Sequence, residues 1–169
     1  FIDIDPNTGL EVRRFVNGTS ADDTISGGVG NDDLIGHGGN DTINAGAGGD
    51  FIEPGKGNDT IDGGADGYDE WFGTKLFDVV RFEGNFTDFE IESKDVQVTD
   101  EDGNSSTVLQ ITVTDTRGDS GEGVDTLINV EELMFNDANI FVGVNEMQRI
   151  YFNGFEEVAG GSDIFGSIF

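Results

Sequence analysis

The sequence predicts an all-β protein: a parallel β-roll of very short strands, closed by an antiparallel β segment. Three observations carry that prediction. A nine-residue period with glycine, aspartate and an aliphatic at fixed places runs from Gly18 to Trp71. Period-two alternation of apolar and polar residues takes over after it. Glycine and Asn-Gly or Asp-Gly turn signals punctuate the whole chain, which has 27 glycines and 2 prolines among 169 residues.

Laid out in nines, the repeats are GTSADDTIS (18–26), GGVGNDDLI (27–35), GHGGNDTIN (36–44), AGAGGDFIE (45–53), PGKGNDTID (54–62) and the decayed GGADGYDEW (63–71). Position six reads Asp23, Asp32, Asp41, Asp50 and Asp59, then Tyr68; position eight reads Ile25, Leu34, Ile43, Ile52 and Ile61, then Glu70. Nine does not fit a 3.6-residue helix, and glycine at this density opposes one. Gly-Gly-x-Gly-Asn is turn chemistry, since Gly and Asn accept positive φ. The closing x-aliphatic-x suits a strand of about three residues with one inward side chain. Such a strand cannot bury its apolar residue alone, so the units must stack, two per coil. Ile25, Ile43 and Ile61 then line one sheet, and Leu34 and Ile52 the other.

Stacking has an electrostatic consequence. It places Asp23, Asp41 and Asp59 in one column and Asp32 and Asp50 in another, in a chain whose formal charge is −27. Burying one Leu or Ile is worth about 1.5–3 kcal/mol, which is less than the cost of ordering the nine residues that come with it. Without cations the stretch is expected to be unfolded. Carboxylates with turn carbonyls make an all-oxygen cage suited to Ca2+, whereas Mg2+ demands stricter geometry and Zn2+ wants Cys or His. The chain has no cysteine and a single histidine, His37, which reads as an exposed turn residue.

Gly-Gly-x-Gly-x-Asp-x-aliphatic-x resembles the repeats-in-toxin (RTX) nonapeptide, a Ca2+-binding parallel β-roll. The resemblance implies ions held between turns of adjacent coils, by the position-six aspartates and by turn carbonyls. It pairs Asp23 with Asp41, Asp41 with Asp59, and Asp32 with Asp50. The carbonyls come mainly from Gly28, Gly30, Gly39, Gly46, Gly48, Gly55 and Gly57. Thr19 and Ala21 depart from the pattern in the first repeat. In the last, Asp66 and Asp69 flank the missing aspartate, and one of them is expected to close a final site with Asp50 if that site exists. Roughly three to five ions are expected.

From about Phe72 the alternating stretches DVVRFEG (78–84), DVQVTD (95–100) and TVLQITVTD (107–115) read as antiparallel strands. The Asp102-Gly103-Asn104 turn makes a hairpin of the last two, and a final strand is placed at about 131–135. VVRFEGNFTDFEI together with VTDTRGDSGEGVDTLINVEELMFND is similar to the unit that follows RTX repeats in large secreted proteins, in serralysin-like proteases and in the R-modules of mannuronan C5-epimerases. That similarity implies a β cap over the end of the roll, where open strand edges need cover. Asp119, Glu122, Asp125 and Asp137 read as solvated surface acids, with a further Ca2+ site as the alternative. Trp71 reads as packing between roll and cap rather than stacking on a sugar. The divisions are therefore 1–17, a strand pair; 18–71, the roll; 72–145, the antiparallel cap; and 146–169, a tail in which Gly160-Gly161-Ser162-Asp163-Ile164 resembles the onset of another array.

The acidic charge disfavours nucleic acid and anionic membranes, and no apolar run is long enough to span a bilayer. No HExxH, GxSxG or P-loop pattern occurs, so an enzyme is not expected. The expectation is a Ca2+-binding module that folds outside the cell, part of a longer secreted or surface protein joined to flanking domains; the RTX resemblance implies type I secretion. The alternatives are an alginate-type polysaccharide-binding module beside an extracellular enzyme, and a spacer or ligand-binding domain of a giant adhesin. The eight basic residues form no stripe that would favour an anionic glycan.

Overall fold

A computed structural model describes residues 13–69, 74–100, 102–118, 121–142, 149–152 and 155–159. Most of the N-terminal strand pair, Trp71, Asp119 and the Gly160–Ile164 motif lie outside these residues. Sixteen strands are present among them. The repeats supply β1 (Phe15–Asn17), β2 (Thr24–Val29), β3 (Asp33–Ile35), β4 (Thr42–Gly48), β5 (Phe51–Glu53) and β6 (Thr60–Asp66). Then follow β7 (Tyr68–Asp69), β8 (Thr74–Lys75), β9 (Val79–Arg81), β10 (Phe89–Thr99), β11 (Ser105–Asp115), β12 (Val124–Ile128), β13 (Glu132–Met134), β14 (Ala138–Phe141), β15 (Arg149–Phe152) and β16 (Phe155–Ala159).

Two large sheets face each other. One has the order β1-β3-β5-β9-β13-β14-β15-β16, the other β10-β11-β12-β6-β4-β2. Each starts parallel and ends antiparallel. In the first, β1 through β13 are parallel and β14 turns back on β13. In the second, β2, β4, β6 and β12 are parallel and β11 runs against β12. A parallel step from one coil to the next needs a crossover, and here the opposite sheet provides it. The roll therefore does not end at residue 71: β9, β12 and β13 continue it from within the segment expected to be wholly antiparallel.

Register shows why. Ile25 pairs with Ile43, Ile43 with Ile61, and Ile61 with Leu127. Opposite, Leu34 pairs with Ile52, Ile52 with Val80, and Val80 with Leu133. All eight side chains are at most 4% exposed. The aliphatic ladder foreseen for the repeats thus gains one downstream rung, Leu127, in one sheet and two, Val80 and Leu133, in the other. Beyond it the core widens. Phe82, Phe86, Phe89 and Phe135 cluster with ring centroids 5.0–5.6 Å apart. The β10–β11 hairpin, turning at Asp102-Gly103-Asn104 as its sequence foretells, lays Ile111 and Val113 on that cluster.

Candidate functional site: two columns of buried carboxylates

The turns of the roll alternate in handedness. Position two carries positive φ at Gly28 (122°), His37 (75°), Gly46 (111°), Gly55 (93°) and Gly64 (97°); position four does so at Gly30 (104°), Gly39 (104°), Gly48 (148°) and Gly57 (142°). These are backbone states that L side chains rarely adopt, which is why the tetrad is glycine-rich. His37 tolerates one of them from an exposed place. The repeat's glycines also stack closely. A Cβ added at Gly46, Gly48, Gly57 or Gly64 would strike the carbonyl of Gly28, Gly30, Gly39 or Gly46 in the coil before.

Two hydrogen-bond ladders climb these turns in opposite directions. The position-six carboxylate reaches back: Oδ1 of Asp41 accepts the Asp23 N–H (2.8 Å), Asp59 that of Asp41 (2.7 Å), and Asp50 that of Asp32 (2.7 Å). The position-five side chain reaches forward: Oδ1 of Asp22 accepts the Asn40 N–H (2.7 Å), Asn40 that of Asn58 (2.8 Å), and Asn31 that of Gly49 (2.9 Å). Together they satisfy turn amides that no strand can reach.

The ladder uses only one oxygen of each carboxylate. The other, Oδ2, is sealed from solvent with no protein partner in Asp32, Asp41, Asp50, Asp59 and Asp78. Each of these five residues is 1% exposed. A buried carboxylate oxygen without a donor is costly. A carbonyl from the next coil approaches the same spot. A Cβ at Gly27 would lie 2.8 Å from Asp32 Oδ2 and against the Ala45 carbonyl; one at Gly63 would lie 2.7 Å from Asp78 Oδ2 and against the Asn129 carbonyl. Gly36 stands likewise between Asp41 Oδ2 and the Pro54 carbonyl. Among the described residues no three acidic or imidazole groups converge on one point. A cation here would rest on carboxylates and main-chain oxygens together, a hard all-oxygen set that fits Ca2+.

Electrostatics agree with the geometry. Burial pushes Asp50 and Asp59 up to about 6, and Asp78 and Asp125 up to about 8, against the lowering effect of the backbone N–H donors of the neighbouring aspartates. Burial raises Asp41 as well. Asp115 is the contrast. Burial would raise it too, yet the Arg117 guanidinium, bonded to its carboxylate, holds it below the usual range. Asp115 has a built-in cation, whereas none of the ion pairs among the described residues involves a column aspartate.

The structure brings together Asp23, Asp41 and Asp59, and Asp32 with Asp50, as the period requires. Asp23 differs from the rest: Thr19 donates to its Oδ2 from both backbone and hydroxyl, so the first turn is already satisfied. The station after Asp50 belongs neither to Asp66 nor to Asp69. Asp78 takes it, with Oδ1 accepting the Asp50 N–H at 2.8 Å, at an offset of 28 residues instead of 18. Asp66 instead pairs with Lys75 (2.6 Å), leaving its Oδ1 buried and without a hydrogen-bond partner; Asp69 sits in β7. Of the glycines named for their carbonyls, Gly48 already accepts the Gly67 N–H.

Two column residues, Asp78 and Glu131, escaped the sequence reading, and a third, Asp125, was read as a surface acid with a Ca2+ site only as the alternative. Asp78 shows only the second half of the repeat, Asp-x-Val. Glu131 takes the next place, accepting the Asp78 N–H through Oε2 (3.1 Å), with nothing but a leucine two residues on to mark it. Asp125 was legible: Gly121–Ile128 reads Gly-x-Gly-x-Asp-x-Leu-x. Glu122 and Asp125, read as solvated acids, are 7% and 1% exposed, because β12 docks onto β6 and carries them inside.

Residues 17–52 and 54–67 match the RTX calcium-binding nonapeptide repeat, in four copies. No curated protein matches the chain.

Proposed function

Residues 17–67 are an RTX calcium-binding repeat array, and from that premise we propose that the chain is a folding module switched by Ca2+. The observation that carries the reading is the set of five buried, partnerless Oδ2 atoms stacked along two columns. Metal-free, those columns repel and the thin ladder cannot hold them. Ca2+ between Asp41 and Asp59, and between Asp32 and Asp50, completes each turn with the help of turn carbonyls. Binding free energy then becomes folding free energy.

RTX repeats occur typically in secreted proteins, and no helix among the described residues is long and apolar enough to cross a membrane, which says nothing of a β-barrel. In our reading the module stays unfolded where Ca2+ is scarce, a state suited to export through a type I channel, and zips up outside. Its role is structural, within a longer surface or secreted protein, without chemistry of its own. Arg13, Lys75, Arg81 and Arg117 each pair with a carboxylate. That supports the structural role over a groove for an acidic polysaccharide.

A Ca2+ titration of the chelated protein tests this by far-ultraviolet circular dichroism, with Mg2+ as control. A cooperative gain of β signal with Ca2+ and not with Mg2+ is expected. A chelated protein already fully folded, and unchanged by Ca2+, would overturn it.

A further inference from the structure

A repeat lies hidden far from the array. GEGVDTLI (121–128) aligns with GKGNDTID (55–62), matching both turn glycines, the aspartate, the threonine after it and the aliphatic. The structure superposes the two in adjacent coils. Thr126 pairs with Thr60, Leu127 with Ile61 and Ile128 with Asp62. The Asp59 N–H donates to Asp125 Oδ1 at 2.8 Å across 66 residues, as the Asp41 N–H does to Asp59 Oδ1 across 18. Asn58 Oδ1 accepts the Val124 N–H at 2.9 Å, continuing the forward ladder. Gly123 has φ 113° and stacks on the Gly57 carbonyl as Gly57 does on that of Gly39. The strand pairing, both hydrogen-bond ladders and the position-four glycine of a coil inside the array recur at this junction; the positive φ of position two does not, since Gly121 lacks it. The β10–β11 hairpin is thus an excursion inserted between one repeat and its successor.

The junction holds two oxygens that nothing in the protein serves. Asp59 Oδ2 and Glu122 Oε2 are buried without partners. Asp59 is 1% exposed and Glu122 7%. Asp125 faces Asp59 closely enough for their carboxyl groups to interact, and Glu122 bears on Asp125 from the same turn. Arg117, whose charge bears on Glu122, is bonded to Asp115 and the Glu83 carbonyl and not to either orphaned oxygen.

We infer that Asp59 and Asp125, with the Gly57 and Gly123 turns, form a further Ca2+ site outside the matched repeats, one that clamps the β10–β12 unit onto the roll. The inference rests on the repeats being a Ca2+ array. It adds that the last ion bridges segments 66 residues apart, so that docking of the downstream β unit, and not only zipping of the roll, depends on Ca2+. A site of that span closes a longer loop than one between neighbouring coils and so removes somewhat more chain freedom.

Asp125→Asn tests it, because the amide keeps the oxygen that accepts the Asp59 N–H and removes only the charge. In saturating Ca2+ the variant should bind one ion fewer than wild type by native mass spectrometry. Its β10–β12 amides should lose hydrogen-exchange protection while β2–β5 keep theirs. An unchanged ion count with unchanged protection would overturn the inference. Should the variant not fold, crystals of the wild-type chain loaded with Tb3+ decide. An anomalous peak between Asp59 and Asp125 upholds the site, and peaks at the repeat stations without one there refute it. Wild-type protein that takes up no ion at any station would refute the Ca2+ array itself.

Discussion

The two ends of this molecule bury acids in different ways. In the repeats, Asp32, Asp41, Asp50 and Asp59 give one oxygen to a backbone N–H and leave the other without a partner. At the far end, Asp115 is also buried, though less deeply, and is bonded to Arg117, whose guanidinium lies over the Phe89 ring. The surrounding cores differ in step. The repeats have one aliphatic per strand, whereas the far end has four clustered phenylalanines. One end carries its own counter-charge and its own apolar mass. The other supplies no counter-charge to its column oxygens among the described residues, which is where the proposed Ca2+ would act. On the proposed reading, the Phe cluster and the Asp115–Arg117 pair need no ion themselves, while the repeats, and the docking of the far end onto them, do.

The sharpest way to separate the ends is to damage the phenylalanine cluster, which no ion touches on the proposed reading. Phe135 is 4% exposed and touches Phe82, Phe86 and Phe89. Phe135→Ala should cost about 3–5 kcal/mol in the stability of the far end. Urea unfolding in saturating Ca2+ measures this. The number of ions held by Asp41, Asp59, Asp32 and Asp50 should not change. If the variant instead loses those ions, the ends are one cooperative unit and the contrast drawn above fails.

Protons offer a second, smaller lever. The folded-state values of Asp50 and Asp59, near 6, and of Asp78 and Asp125, near 8, lie above the ordinary carboxylate value because of burial. A raised folded value means the folded chain binds the proton more tightly than the unfolded one. Metal-free stability from these groups is therefore full at about pH 4 and is lost as pH rises through 6 and then 8. Circular dichroism of the chelated protein should show more β structure at about pH 5 than at about pH 8. In Ca2+ the direction reverses: protons compete with the ion, and the Ca2+ midpoint should rise on acidification. Equal metal-free signal at both pH values would mean that the columns are not what opposes folding.

Legibility from sequence followed chain distance. Asp23 through Asp59 and the ladder Ile25 to Ile61 could be placed because the coil-to-coil offset is a constant 18 residues, as the bonds between stations confirm. Asp78 and Asp125 occupy equivalent stations at offsets of 28 and 66. An insertion hides such a partner, since nothing local says where the chain returns. Asp125 still carried a signal in its flanking glycines and Leu127. Glu131 carried none, as a glutamate there spans the gap only once β13 is docked. The alternation that gave the β10–β11 hairpin was plain, but alternation alone could not show that β12 runs parallel to the roll.

The frequent asparagine at position five shows the same limit, and it yields the smallest test. Sequence explained it as a residue content in a turn. The structure adds that Asn40 accepts the Asn58 N–H, as Asp22 accepts that of Asn40. Asn40→Ala removes one such acceptor at an exposed place, where water can partly replace it, so the loss should be about 0.5–1.5 kcal/mol. Asn40→Asp keeps the acceptor and adds a charge beside the Asp41 column. Its stability in saturating Ca2+ should stay closer to wild type than that of the alanine variant, while its metal-free form should be the less folded of the two. Thermal melts with and without chelator distinguish these outcomes. Two variants reversing rank with Ca2+ would show that position five bonds the coils and position six charges them. An unchanged rank would mean that the forward ladder contributes nothing separable from the turn itself.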